Sequence, residues 1–185
     1  MAMSGYLKAE PLTDETFRIS IPNEEVHRKM DRMLSSAFPD TGYFGEFIRA
    51  TLEKDAKAME RTFQEVLLHG NHPNLKENAY EVIMMTLMHS LVKKYDLWTE
   101  HKCGFGRADI VLLPRRKEDH AMIFELKVSD SVDRLEEDAK AAIEQIRDRR
   151  YHLGLKGEVV LYGISSHSNT LKVLIETIQD AGTVC

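Results

Sequence analysis

The chain has little cysteine, little proline and no excess of positive charge. Its two cysteines, Cys103 and Cys185, match neither a zinc-ligand spacing nor a disulfide framework, so both read as free thiols in a reducing compartment. None of the eight histidines falls in an HExxH or comparable metal spacing, and His69 with His72 reads as loop decoration. No GxxxxGK[ST] segment occurs, which excludes an ATPase of the P-loop kind within this sequence. No apolar run approaches the ~20 residues that a bilayer-spanning helix needs, and Met1-Ala2-Met3-Ser4-Gly5 lacks a basic stretch leading into an apolar one. The expectation is a soluble, cytoplasmic protein. Internal repeats and low-complexity segments are absent too. The formal net charge of -5 argues against a general nucleic-acid binder, which is usually basic. It leaves room for an acidic site balanced by metal ions, or for dependence on a basic partner domain.

What is present concentrates between Gly106 and Lys127. Gly-Arg-Ala-Asp-Ile-Val-Leu-Leu-Pro is followed, after a polar turn over Pro114 to His120, by Ala-Met-Ile-Phe-Glu-Leu-Lys-Val. Both runs are short, rich in Ile, Val, Leu or Phe, and bracketed by Gly, Pro or charged residues, as buried strands are. Paired as a hairpin, they bring Asp109 towards Glu125, and the two-residue strand period puts Glu125 and Lys127 on one face.

Charges inside apolar strands are costly unless they are paired or bind a metal. A hard divalent cation such as Mg²⁺ accounts for them, since one or two carboxylates plus waters and a substrate phosphate complete its shell. Asp109 and Glu125 would supply oxygens. Lys127 would hold a reacting water or neutralise charge on a phosphate. Beside carboxylates its ammonium is favoured, so it reads as a cation and not as a general base. Taken singly, the same residues also read as a strand-end acid paired with Arg107 or Lys127, and as one solvated strand face carrying Glu125 and Lys127.

The Asp followed by Glu-x-Lys on consecutive strands resembles the core of the PD-(D/E)XK nuclease superfamily, here as Asp109 and Glu125-Leu126-Lys127. The wider frame adds Glu77 opening a helix, Glu100 before a Gly-rich approach, Gly106-Arg107-Ala108-Asp109, and then Gln145 and Tyr151. In this order the elements resemble the nuclease-like C-terminal domain of bacterial proteins that carry an AAA-ATPase-like domain upstream. The likeness covers residues 76–165. More loosely, Ser4 to Leu7 and Ile21 to Val26 resemble the segment joining the two domains of such proteins.

The resemblance implies a Mg²⁺- or Mn²⁺-dependent site with Asp109, Glu125 and the Leu126 backbone carbonyl as metal ligands. Lys127 and Glu77 join Asp109 and Glu125 as catalytic residues, with Glu100, Arg107, Gln145 and Tyr151 in support. Glu81 lies one turn after Glu77, and spacing alone does not choose between them. Two departures stand out: Ala108 occupies the position of the superfamily's Pro, and Gln145 to Tyr151 is wider than the QxxxY of its RecB-like branch. With no phosphate loop, the chain would be a fragment or a truncated relative of the two-domain proteins.

The expected organisation is a hairpin and helical region over residues 1–75, then the nuclease-like domain over 76–185. Tyr6 to Glu10 and Phe17 to Ile21 read as the hairpin, and Asn23 caps a helix that Pro39 to Gly42 ends. A long helix from Gly45 to His69 breaks near Asp55, and Gly70 to Asn74 marks the boundary. Beyond it come a broadly apolar helix from Glu77 to Tyr95 and strands over residues 97–102, 107–113 and 121–128. A helix over residues 133–152 and a strand over 158–164 follow. Residues 170–178 read as a fifth strand or a helix. The fold class expected is α/β, with a mixed central sheet of four to five strands flanked by helices, a restriction-endonuclease-like core. Two functions stay open. One is a metal-dependent nuclease acting on DNA or, secondarily, RNA; the other is a non-catalytic nuclease-like module that binds nucleic acid or a partner and serves an ATPase.

Overall fold

The computed structural model describes residues 8–11, 17–20, 42–69 and 77–179. The chain divides into two compact units, Met1–Thr41 and Gly42–Cys185. In the first, β1 (Lys8–Pro11) and β2 (Phe17–Ser20) pair antiparallel, Lys8 opposite Ser20. The helix expected after Asn23 and the break at Gly70 to Asn74 lie outside the described residues. The sequence boundary near residue 75 falls inside the second unit.

That unit opens with α1 (Gly42–Leu52) and α2 (Ala56–His69), the two halves of the long apolar stretch. The break has a local cause. Lys54 is left-handed (φ 60°), and the Asp55 N–H reaches back to the Ala50 carbonyl at 2.8 Å, which closes α1. The Asp55 carboxylate then accepts the Ala58 N–H at 3.0 Å and caps α2. One residue thus ends one helix and begins the next.

The apolar helix α3 (Glu77–Met88) stops seven residues earlier than its hydrophobicity suggests. It tightens into a 3-10 turn (His89–Lys93), and Tyr95 already belongs to β3 (Tyr95–Cys103). β4 (Gly106–Pro114), β5 (Ala121–Val128), α4 (Leu135–Asp148), β6 (Val159–His167) and β7 (Thr170–Ile178) follow. Residues 170–178 are therefore a strand.

The five strands form one sheet in the order β3-β4-β5-β6-β7. All neighbours are antiparallel except β5 and β6, which run parallel because α4 returns the chain between them. Val159 to Ser166 are all buried, as expected of a strand covered on both faces. On one face Ile143 and Ile146 of α4 pack with Ala121, Ile123, Val159 and Leu161. On the other, Phe124 stacks on Tyr162 at 4.4 Å, and the Tyr162 hydroxyl donates to the Thr51 carbonyl of α1 at 2.6 Å. Each such aromatic or aliphatic side chain contributes roughly 1.5–3 kcal/mol on burial, so this double-sided core fixes the register that carries the site.

Candidate active site

β4 and β5 pair from Ile110 opposite Phe124 to Leu112 opposite Met122. One residue further, at Asp109, the side chain takes over from the backbone: Asp109 Oδ2 accepts the Leu126 N–H at 2.7 Å. A carboxylate on a backbone N–H is a charge-assisted bond, and it pins Asp109 beside the Leu126 peptide. On its other side β5 is paired with β6 along its whole length, Glu125 opposite Gly163 and Lys127 opposite Ser165.

Ile123 packs towards α4, and the strand period sends Glu125 and Lys127 the same way. There both meet Gln145. Its Nε2 donates to Glu125 Oε1, and its Oε1 accepts from Lys127 Nζ at 2.7 Å. A carboxamide suits this place because one end donates and the other accepts, matching an anion on one side and a cation on the other. Glu125 is only 4% exposed. An ionised carboxylate so deeply placed costs several kcal/mol unless its neighbours compensate, and the Gln145 amide supplies part of that compensation.

Tyr151 reaches this region through the end of α4. Arg150 adopts φ 53°, the Tyr151 N–H bonds the Ile146 carbonyl at 3.1 Å, and the Arg150 N–H bonds the Arg147 carbonyl at 2.9 Å. This left-handed cap folds Tyr151 back into the core beside Ile146, with 3% of its surface exposed. Burial pushes its hydroxyl pKa up, while Gln145 beside it works the other way. The wide Gln145 to Tyr151 spacing is thus absorbed by the cap. A Cβ added at Gly106 would come within 2.9 Å of the Tyr151 hydroxyl oxygen, so the start of β4 rests on that ring.

The structure therefore gathers Asp109, Glu125, Leu126, Lys127 and Gln145, with Tyr151 adjoining. Arg107 is exposed on β4, opposite Lys102 of β3. The side chains of Glu77, Glu81 and Glu100 lie outside the described residues. Among the described residues no three His, Cys, Asp or Glu side chains form a ready metal cluster. Asp109, Glu125 and the Leu126 carbonyl nevertheless offer an all-oxygen donor set, the kind a hard cation takes with waters and phosphate.

Gly163 escaped the sequence reading. A Cβ there would lie 2.2 Å from the Ala139 carbonyl oxygen and 2.7 Å from Ile143, so α4 can approach the sheet only over a bare backbone. Gly163 sits opposite Glu125, and this close approach lets Gln145 reach it. The available signal was a lone glycine inside the apolar run Val159 to Ile164, which marks close backbone approach.

A mixed five-stranded sheet flanked by helices, with acids on its second and third strands, defines a restriction-endonuclease-like α/β core. The profile of the PD-(D/E)XK nuclease superfamily matches residues 75–176, and the chain belongs to that superfamily. Comparison with curated proteins gives no match. Ala108, in place of the superfamily's Pro, is fully buried in the cluster that includes Tyr151 and pairs with His101 of β3.

Proposed function

We propose that the chain is a divalent-metal-dependent nuclease that hydrolyses phosphodiester bonds in DNA, with RNA the secondary substrate. The observation that carries this reading is the Gln145 bridge between Glu125 and Lys127, next to an Asp109 held on the Leu126 peptide. A merely solvated strand face would not bury its glutamate and tie it through an amide to its lysine.

In this reading Asp109, Glu125 and the Leu126 carbonyl hold Mg²⁺ or Mn²⁺. The cation, when bound, supplies Lewis-acid activation of a water and neutralises phosphate charge. Lys127 orients the attacking water and stabilises charge on the phosphate oxygens as the P–O bond to the leaving sugar breaks. Gln145 keeps Lys127 and Glu125 in place, and Tyr151 supports Gln145 from the end of α4. Glu77 adds a further acid from the first turn of α3. The catalytic segment is residues 76–185, and the chain works in the cytoplasm of a bacterium with an ATPase-like domain.

The test is nicking of supercoiled plasmid by the purified chain with Mg²⁺ or Mn²⁺, beside Asp109→Asn and calorimetric titration of the metal. Nicking that needs the metal and vanishes in the variant supports the proposal. Metal binding without hydrolysis of DNA or RNA would instead favour the non-catalytic module, a reading that the net charge of -5 also suits.

A further inference from the structure

The turn between β3 and β4 carries the most exposed large apolar side chain among the described residues, Phe105, with 67% of its surface open. The turn is built to hold it there. Gly104 is left-handed (φ +52°), and a Cβ on it would fall 2.1 Å from the Arg149 carbonyl oxygen and 2.3 Å from that of Arg150. The Phe105 N–H bonds the Arg149 carbonyl at 2.7 Å, so the turn is clamped onto the end of α4. The Arg150 guanidinium lies over the Phe105 ring, 5.6 Å from its centroid.

The surroundings are cationic. Lys102, Arg107, Arg149 and Arg150 are all exposed. Lys102 and Arg107 line an open depression of about 430 Å³ with Cys103, Gly104 and Gly106. A local cluster of this kind is unexpected on a chain of net charge -5, where a polyanion must be met by a patch and not by the overall field. The patch also adjoins the candidate site: Gly106 rests against Tyr151, and Tyr151 adjoins Gln145, which touches Glu125 and Lys127.

The geometry points to the β3–β4 turn as a landing platform for single-stranded nucleic acid. Phe105 stacks on an unpaired base, and Lys102, Arg107, Arg149 and Arg150 meet the phosphates around it. This rests on the nuclease reading above and deepens it by naming the form of the substrate. An exposed ring gains from stacking only where a base has an open face, which a duplex conceals. The cations without the ring would serve any polyanion; the ring selects the unpaired strand.

The experiment is fluorescence anisotropy of labelled oligo(dT), and of a blunt duplex of the same length, with the full chain at low salt in EDTA. Binding is thereby separated from turnover. Wild-type protein should prefer oligo(dT). Phe105→Ala and Phe105→Leu should weaken that binding by roughly tenfold while leaving the duplex unchanged. Arg149→Ala should weaken both and lower the salt slope by about one phosphate contact. Hydrolysis of a small phosphodiester, which needs no platform, should be unaffected by Phe105→Ala. If that hydrolysis is absent while Phe105-dependent binding persists, the catalytic reading fails and the platform stands. Equal binding of oligo(dT) by wild type and both Phe105 variants, equal preference for duplex, or equal competition by an acidic polyglutamate peptide would overturn the platform.

Discussion

Lys127 is held by Gln145: a 2.7 Å hydrogen bond runs from its Nζ to the amide oxygen, and the other end of the same amide donates to Glu125. A flexible lysine stem carries about 2 kcal/mol of rotamer entropy, and a side chain that must act on a phosphate benefits from having it removed beforehand.

Gln145→Ala should therefore lower kcat by about 10- to 100-fold, the usual cost of losing a partner that orients a metal-site residue. Gln145→Glu should do worse, because it sets a second carboxylate against Glu125. Single-turnover plasmid cleavage measures both. A Gln145→Ala enzyme at wild-type kcat would mean that the amide only fastens α4 to the sheet.

Lys127→Ala and Asp109→Asn should separate two roles. Losing the ammonium should cut turnover by about 10²- to 10³-fold, with metal affinity largely kept. Asp109→Asn should lose both turnover and metal, which titration calorimetry and cleavage assays on the same preparations would report. Activity surviving in both variants would place the chemistry elsewhere.

The strands that carry Asp109 and Glu125 were legible because each is a short apolar run between turn residues, and period two fixed the shared face of Glu125 and Lys127. The break near Asp55 was legible for a similar local reason, as a polar interruption in a helical stripe. The end of α3 was not. Met84, Leu87 and Met88 of the helix and Leu91 of the 3-10 turn are all buried, so hydrophobicity does not mark the change. The role of Gln145 depends on how close α4 comes to β5 and β6, a tertiary distance set by Gly163 that no spacing along the chain encodes.

Stability should fall as the pH is lowered from 7 towards 5. Burial lowers the pKa of His120, with Lys54 adding to the effect while Glu158 and Asp119 oppose it, and burial likewise lowers His101 and His152. The folded value then lies below the unfolded value of about 6.5, so the unfolded chain binds more protons. The stabilisation from keeping these rings neutral is complete above the unfolded pKa and is lost as the pH falls through the folded one. His120→Asn should flatten the pH dependence of the urea midpoint, and an unchanged slope would show that His120 does not contribute.

Gly163→Ala is the sharpest test of how the sheet positions the site. A methyl group there meets the Ala139 carbonyl oxygen at 2.2 Å, and helix backbone cannot swing aside as a flexible side chain can. α4 must lift from β6. Overpacking of this kind costs about 1–3 kcal/mol, which should appear as a lower urea midpoint and a lower Tm. The same displacement draws Gln145 away from Glu125 and Lys127, so the folded variant should also lose activity at a temperature well below its Tm, in the manner of Gln145→Ala. Combining the two substitutions then separates the effects. Stability should fall about as far as in Gly163→Ala alone, whereas kcat should fall little further than in either single variant, because both act through one contact. Fully additive losses in kcat would show that Gly163 supports the fold without setting the bridge.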